Sequence, residues 1–201
     1  MNKTITIDPD TGSVMKIKSL VRTISDMDVN IKEQDILDRL DDRFRWPKTY
    51  PWGQPTVEVI KEDKRSYQDF FLEDGFIDSD KCIKYYQDGY TLVISHIGFL
   101  HKEAKKVKNE LDNFFHLNIN CNFYFGTGKK STSFSSHAHN YDVLIKNIYG
   151  SSVWLLNNKE TTLDRQRVFY LSKGTKHIVT KITDKKLSMT CNLQYPEEIT
   201  N

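Results

Sequence analysis

From residue 117 almost to its end, the chain is a succession of short apolar runs cut by turn residues, and this pattern constrains the fold more than any other feature. LNINCNFYF, YDVLIKNIY, SVWLL, RVFYL, HIVTKI and KLSMTCNL are rich in branched and aromatic side chains, with Gly, Asn, Asp or Lys between them. Strands at such short spacing point to an antiparallel barrel or sandwich.

The preceding half reads mainly helical, with short strands. Asn30 followed by Glu33 has the form of a capping box, and Ile36, Leu37, Leu40 and Phe44 then fall on one face of a helix that Pro47 would end. Beyond the proline and tryptophan loop RWPKTYPWGQP, TVEVI reads as a strand, SYQDFFLEDG as a helical turn closed by Gly75, and DSDKCIKYYQDG as a short helix. TLVIS is a strand. Ile97, Leu100, Ala104, Val107, Leu111 and Phe114 follow at three- and four-residue intervals, the stripe of one long core-facing helix. The sequence predicts one domain over 1–201, mainly β with N-terminal helices (α+β), with a helical region over 1–116 and a barrel core over 117–195.

Charge excludes some partners. With 29 basic and 27 acidic residues the net charge is +2, which gives no global attraction to nucleic acid or to an anionic membrane. The lysine clusters KEAKKVK and GTGKK read as solvated faces, and GTGKKS is too short for a phosphate-binding loop. No stretch has the apolar length of a membrane span, and MNKTITIDPDTG lacks the apolar core of a signal peptide. Cys82, Cys121 and Cys191 are far apart and form no CxxC pair, so they read as reduced, buried packing residues of a cytoplasmic protein.

Three of the six histidines stand apart by their spacing. His137 and His139 in SSHAHNYD lie two residues apart at the entrance to a strand, where alternate side chains share a face and both imidazoles can reach one ion. His177 opens the strand HIVTKI, and an adjacent antiparallel strand can bring it beside them. The pair alone also admits a structural role, one imidazole bonded to a backbone carbonyl and the other in a loop. His96, His101 and His116 flank or lie on the long helix and read as surface or cap residues.

The surrounding spacing resembles the two motifs of the cupin superfamily. In the first, His137 and His139 match, Val143 occupies the glutamate position and Gly150 the closing glycine; in the second, Ser172 replaces the proline while Gly174 and His177 match. The resemblance implies a double-stranded β-helix, the cupin or jelly-roll barrel. Over roughly residues 70 to 195 the chain looks like the jumonji-C-like cupins, which are iron(II) and 2-oxoglutarate dependent oxygenases. That family holds iron through HxD and a distal histidine. Carried over, His137 and His177 keep their roles and His139 takes the aspartate's place, while Asp142 aligns as a further carboxylate on the strand, not as the missing ligand.

Two departures bear on the chemistry. Three neutral histidines leave a metal site one charge more positive than a two-histidine, one-carboxylate triad, and imidazole also suits zinc or copper. In the family a Lys or Arg two residues after the first motif's glycine anchors the far carboxylate of 2-oxoglutarate, and here that place is Ser152. A buried carboxylate needs a cationic partner, so either another residue serves or 2-oxoglutarate is not the cosubstrate. Tyr124, Lys146, Arg165 and Arg167 are the candidates, although strand alternation sets Lys146 on the face opposite Val143 and Ile145. Asn140 and Asp142 could orient the histidines.

The sequence therefore points to an oxygenase acting on a small molecule or peptide, with a non-catalytic metal- or ligand-binding cupin as the alternative. The aromatic loop could line a pocket or simply pack. The N-terminal helices offer a surface for pairing two subunits, and nothing in their pattern requires it.

Overall fold

The computed structural model describes residues 14–42, 46–66, 69–128, 134–165, 167–182 and 185–194. Five helices occur among them: α1 (Val14–Asp26), α2 (Glu33–Leu40), α3 (Ser79–Gln87), α4 (Ile97–Leu100) and α5 (Lys102–Phe115). The strands are β1 (Val57–Lys61), β2 (Lys64–Ser66), β3 (Thr91–Ile94), β4 (Asn120–Gly126), β5 (Asp142–Tyr149), β6 (Ser152–Leu156), β7 (Lys159–Leu163), β8 (Val168–Leu171), β9 (His177–Ile182) and β10 (Lys186–Leu193).

The strands form two antiparallel sheets, one ordered β2-β1-β3-β4-β10-β5-β8 and the other β7-β6-β9. This is the cupin-type jelly roll with N-terminal helices, its sheets not closed into a continuous barrel. No helix among the described residues is long and apolar enough to cross a membrane.

Strand alternation divides β4 and β10 into two chemistries. Cys121, Phe123 and Phe125 on β4 and Leu187, Met189, Cys191 and Leu193 on β10 pack into the large core, with Ile17, Leu20, Val21 and Ile24 of α1 and Val107 and Leu111 of α5. Each such fully buried large side chain contributes on the order of 1.5–3 kcal/mol. The alternate residues Asn122, Tyr124 and Gly126 of β4, and Lys186, Ser188, Thr190 and Asn192 of β10, face a cavity instead. A smaller core of Val143, Ile145, Trp154, Leu156, Leu163, Phe169 and Leu171 joins β5 and β8 to the second sheet. The three cysteines are free and buried, and Cys121 and Cys191 meet as cross-strand partners with their sulfurs 2.8 Å apart.

Several boundaries differ from expectation for local reasons. Helix α2 starts beyond the Asn30–Glu33 box: Lys32 is the cap residue, and its N–H donates to Asp35 Oδ2 at 3.1 Å. It ends at Leu40, well before Pro47, and Phe44 lies outside the described residues. The described part of SYQDFFLEDG is a turn without helix: Phe71 bridges Ile77, the Phe76 N–H donates to Asp74 Oδ1, and Gly75 closes the turn at φ +84°. The long helix breaks at His101, whose extended backbone and imidazole, accepting from the Glu103 N–H at 3.2 Å, start α5 afresh. Histidines 96 and 116 also serve as caps, each with positive φ. Phe114 at the end of the stripe is exposed, and Lys108 is buried in its place, paired with Asp112 and donating to Asn118 Oδ1 at 2.9 Å. Strand β7 (KETTL) was not among the expected strands, because its mostly exposed polar residues give no apolar alternation.

Candidate metal centre

Two glycine turns set the frame of the site. Gly150, at φ +70°, joins β5 to β6, and a Cβ there would lie 2.1 Å from the Lys185 carbonyl oxygen, so only glycine fits. Gly174, at φ +81°, shapes the turn before β9, and its N–H donates to the His139 carbonyl at 2.9 Å. Asp142 ties the same parts together: its carboxylate accepts from the Lys173 N–H at 2.7 Å and from the Tyr170 hydroxyl at 2.5 Å. The carboxylate thus holds the turn before β9 and is not a metal ligand.

His137 and His177 are direct backbone partners, exchanging N–H···O bonds of 3.1 and 2.8 Å. Their rings stand 4.3 Å apart, with the His139 ring 5.1 and 5.2 Å from them. One nitrogen from each of the three lies within 4.8 Å of the others. The spacing of the sequence motifs is therefore realised as a cluster.

The surroundings fix which nitrogens are offered. His137 Nδ1 bonds the Ser135 carbonyl at 2.8 Å and His177 Nδ1 bonds the Thr175 carbonyl at 2.9 Å. A carbonyl accepts only, so each Nδ1 carries the proton and each Nε2 keeps a lone pair for a metal. His139 stacks on Tyr141, with ring centroids 4.9 Å apart. Burial, followed by the neighbouring His177 and His137, lowers the His139 pKa to about 4, and burial also lowers that of His177. Both imidazoles are neutral and ligand-ready at pH 7.

The cluster opens onto a cavity of about 460 Å³. Val143, Ile145, Trp154 and Val179 form its apolar wall, facing polar groups from β1, β3, β4 and β10. Tyr124, on β4, lines the cavity on the facing side, its phenol pushed up to about 12 by burial. Glu58 is the one carboxylate among the described lining residues, and Arg65 pairs with it at 3.2 Å. Burial raises the Glu58 pKa, with Arg65 opposing.

The other expected cosubstrate contacts lie elsewhere. Lys146 points away from the cavity, as strand alternation requires, and donates to the carbonyls of Ile24 and Ser25 at 2.8 and 3.4 Å, capping the end of α1. Arg165 is paired with Asp28 and Arg167 donates to the Thr162 carbonyl. Ser152 is buried, and its hydroxyl accepts from Trp154 Nε1 at 2.8 Å. The sequence reading missed Lys186, Trp154, Thr91 and the Glu58–Arg65 pair. Their available signal was alternation: in KLSMTCNL the polar residues occupy every second position, the mark of a strand with a polar inner face.

No family model and no curated protein matches the sequence. Among solved structures, the chain resembles YcfD, a ribosomal oxygenase from Escherichia coli, in complex with cobalt and 2-oxoglutarate, with a TM-score of 0.57 at 13% identity. The cobalt and succinic acid complex of the same protein gives 0.56 at 12%. Each alignment covers 83% of this chain and 44% of YcfD, so the chain spans less than half of that protein's length. A cupin superfamily protein from Desulfitobacterium hafniense DCB-2 aligns over 38% of this chain and 68% of its own, at 12% identity and a TM-score of 0.34. At these identities the likeness is one of fold: this is a cupin-fold protein with three clustered histidines at its cavity.

Proposed function

We propose that the protein is a metal-dependent oxygenase of the jumonji-C-like class, with iron(II) held by His137, His139 and His177. The observation that carries this reading is the convergence of three imidazole nitrogens on one cavity, two of them with their tautomer fixed by backbone carbonyls. Three neutral nitrogen donors from one side fit a divalent first-row ion and leave its remaining positions toward the cavity. Bound iron(II) would supply the redox chemistry of dioxygen activation. The chain's own part is to hold the imidazoles in register, through the His137–His177 backbone pair and the Gly174–His139 bond, and to surround the reacting region with Val143, Ile145 and Trp154. The YcfD likeness adds support from a fold that accommodates both a metal and 2-oxoglutarate.

A non-catalytic metal-binding cupin is the second reading, because the same three donors also suit zinc. Anaerobic iron(II) titration of metal-stripped protein, followed by oxygen uptake in the presence of 2-oxoglutarate, separates the two. The oxygenase reading expects one bound iron, oxygen consumption and succinate, with iron binding lost in His139→Ala and largely retained in His139→Asp. Bound metal without oxygen consumption under any cosubstrate would transfer the site to the second reading, and absence of metal binding would overturn both.

A further inference from the structure

Cys121 and Cys191 stand opposite each other within the large sheet, on β4 and β10. Both are buried and free, and their sulfurs lie 2.8 Å apart, within an ångström of the bonded separation of about 2.05 Å. The ladder fixes this approach. Asn122 pairs with Thr190 on one side and Asn120 with Asn192 on the other, so the thiols are held face to face by strand register. Both side chains enter the large core, whereas Asn122, Thr190 and Asn192 turn to the cavity, so chemistry at the sulfurs takes place on the far side of the sheet from the histidines.

The two cysteines are 70 positions apart, and the chain between them carries His137, His139 and His177 together with strands β5 to β9. A bond between the sulfurs would close one loop around the whole histidine-bearing segment. Cross-links that close long loops remove the most freedom from the unfolded chain. Reaction at these thiols is gated by the fold. Burial, followed by the Cys121 thiol, holds the Cys191 thiol well above its ordinary range, with Asp112 adding to this and Lys108 opposing it. A protonated, buried thiol is a poor nucleophile, so its oxidation waits on transient opening of the sheet. Once one sulfur is oxidised, its partner is already in contact, and the second step is intramolecular. Cys82 lies on α3, outside this ladder.

We infer that Cys121 and Cys191 form an oxidation site that takes hydrogen peroxide and converts to a disulfide, a reversible staple across the segment that holds the histidines. One sulfur attacks a peroxide oxygen, the O–O bond breaks, and a sulfenic acid and a water form. The second sulfur then attacks the first, the S–O bond breaks, and another water leaves. The two thiols together give up two protons and two electrons, and one peroxide becomes two waters. This site is independent of the proposed metal centre.

Metal-stripped protein, reduced and then freed of reductant, is exposed to hydrogen peroxide, unfolded in an alkylating reagent and digested for mass spectrometry. We expect one cross-linked peptide pair containing Cys121 and Cys191, with Cys82 alkylated and the intact protein lighter by two hydrogens. Because the reaction waits on opening, its rate should rise in urea below the unfolding transition. Oxidised protein should melt roughly 5–15 °C above reduced protein, a gain reversed by dithiothreitol and absent from Cys121→Ala and Cys191→Ala. Peptide mapping of the unsubstituted protein keeps the result independent of how well those variants fold. Three alkylated thiols after peroxide treatment, sulfinic acid without a cross-link, or a cross-link made through Cys82 would overturn the site. A Cys121–Cys191 cross-link that leaves the melting temperature unchanged or lower would overturn the staple.

Discussion

A lysine buried beside an indole titrates in an accessible range, and this gives the residue scale its test. Lys186 is pulled down to about 8 by burial, so its cation is present below that pH. Of the cavity's other titratable groups, Tyr124 and Tyr141 are raised above their ordinary range and His139 and His177 are lowered below theirs, so none of these titrates near pH 8. Between the folded pKa near 8 and the ordinary lysine value of 10.5 the unfolded chain binds more protons, so unfolding free energy should rise with pH across that interval, and urea titrations of Lys186→Met should lack the rise. At this scale the histidine cluster was legible, because HxH and the later Gly-x-x-His keep their spacing in sequence. Lys186 was not: a lysine beside the turn TDKK looks like a solvated residue until the strand pairing turns it inward.

At the scale of elements, the turn before β9 carries the second histidine motif, and Asp142 is its clamp, reaching both the Lys173 N–H and the Tyr170 hydroxyl. Asp142→Ala should cost about 1.5–3 kcal/mol in urea unfolding, the range for hydrogen bonds to a charged group. It should also weaken metal binding roughly tenfold or more, the usual size for a group that orients ligands, as read by competition with a chromogenic chelator. Lys146 makes the contrasting case. Its ammonium closes the end of α1, so Lys146→Met should destabilise by about 1–3 kcal/mol while leaving metal affinity unchanged. The same scale shows what sequence patterns could and could not specify. Alternation located the strands whose two faces differ in polarity. It passed over β7, whose exposed polar residues carry no contrast, and it ran α4 and α5 together, because the helical stripe continues across His101 while the break depends on that residue's imidazole.

For the whole molecule, the two sheets meet over the smaller core and the histidine cluster, where His177 on β9 faces His137 on the approach to β5. A metal bound there would link segments far apart in the chain, and binding to the folded state alone adds RT ln(1 + [L]/Kd) to stability, about 2.7 kcal/mol at a hundredfold excess over Kd. A chain of 201 residues gains roughly 2–4 °C in Tm per kcal/mol, so saturating manganese or zinc should raise the melting temperature by roughly 5–10 °C. The increase should vanish on adding a chelator and be absent in His139→Ala. It should persist in Lys186→Met, because that ammonium sits by the Trp154 ring and is not one of the three clustered histidines. Differential scanning calorimetry of the three proteins, each with and without metal, checks this. An unchanged Tm in the native protein would mean that the imidazoles cluster without holding an ion, and a shift that survives His139→Ala would place the ion elsewhere.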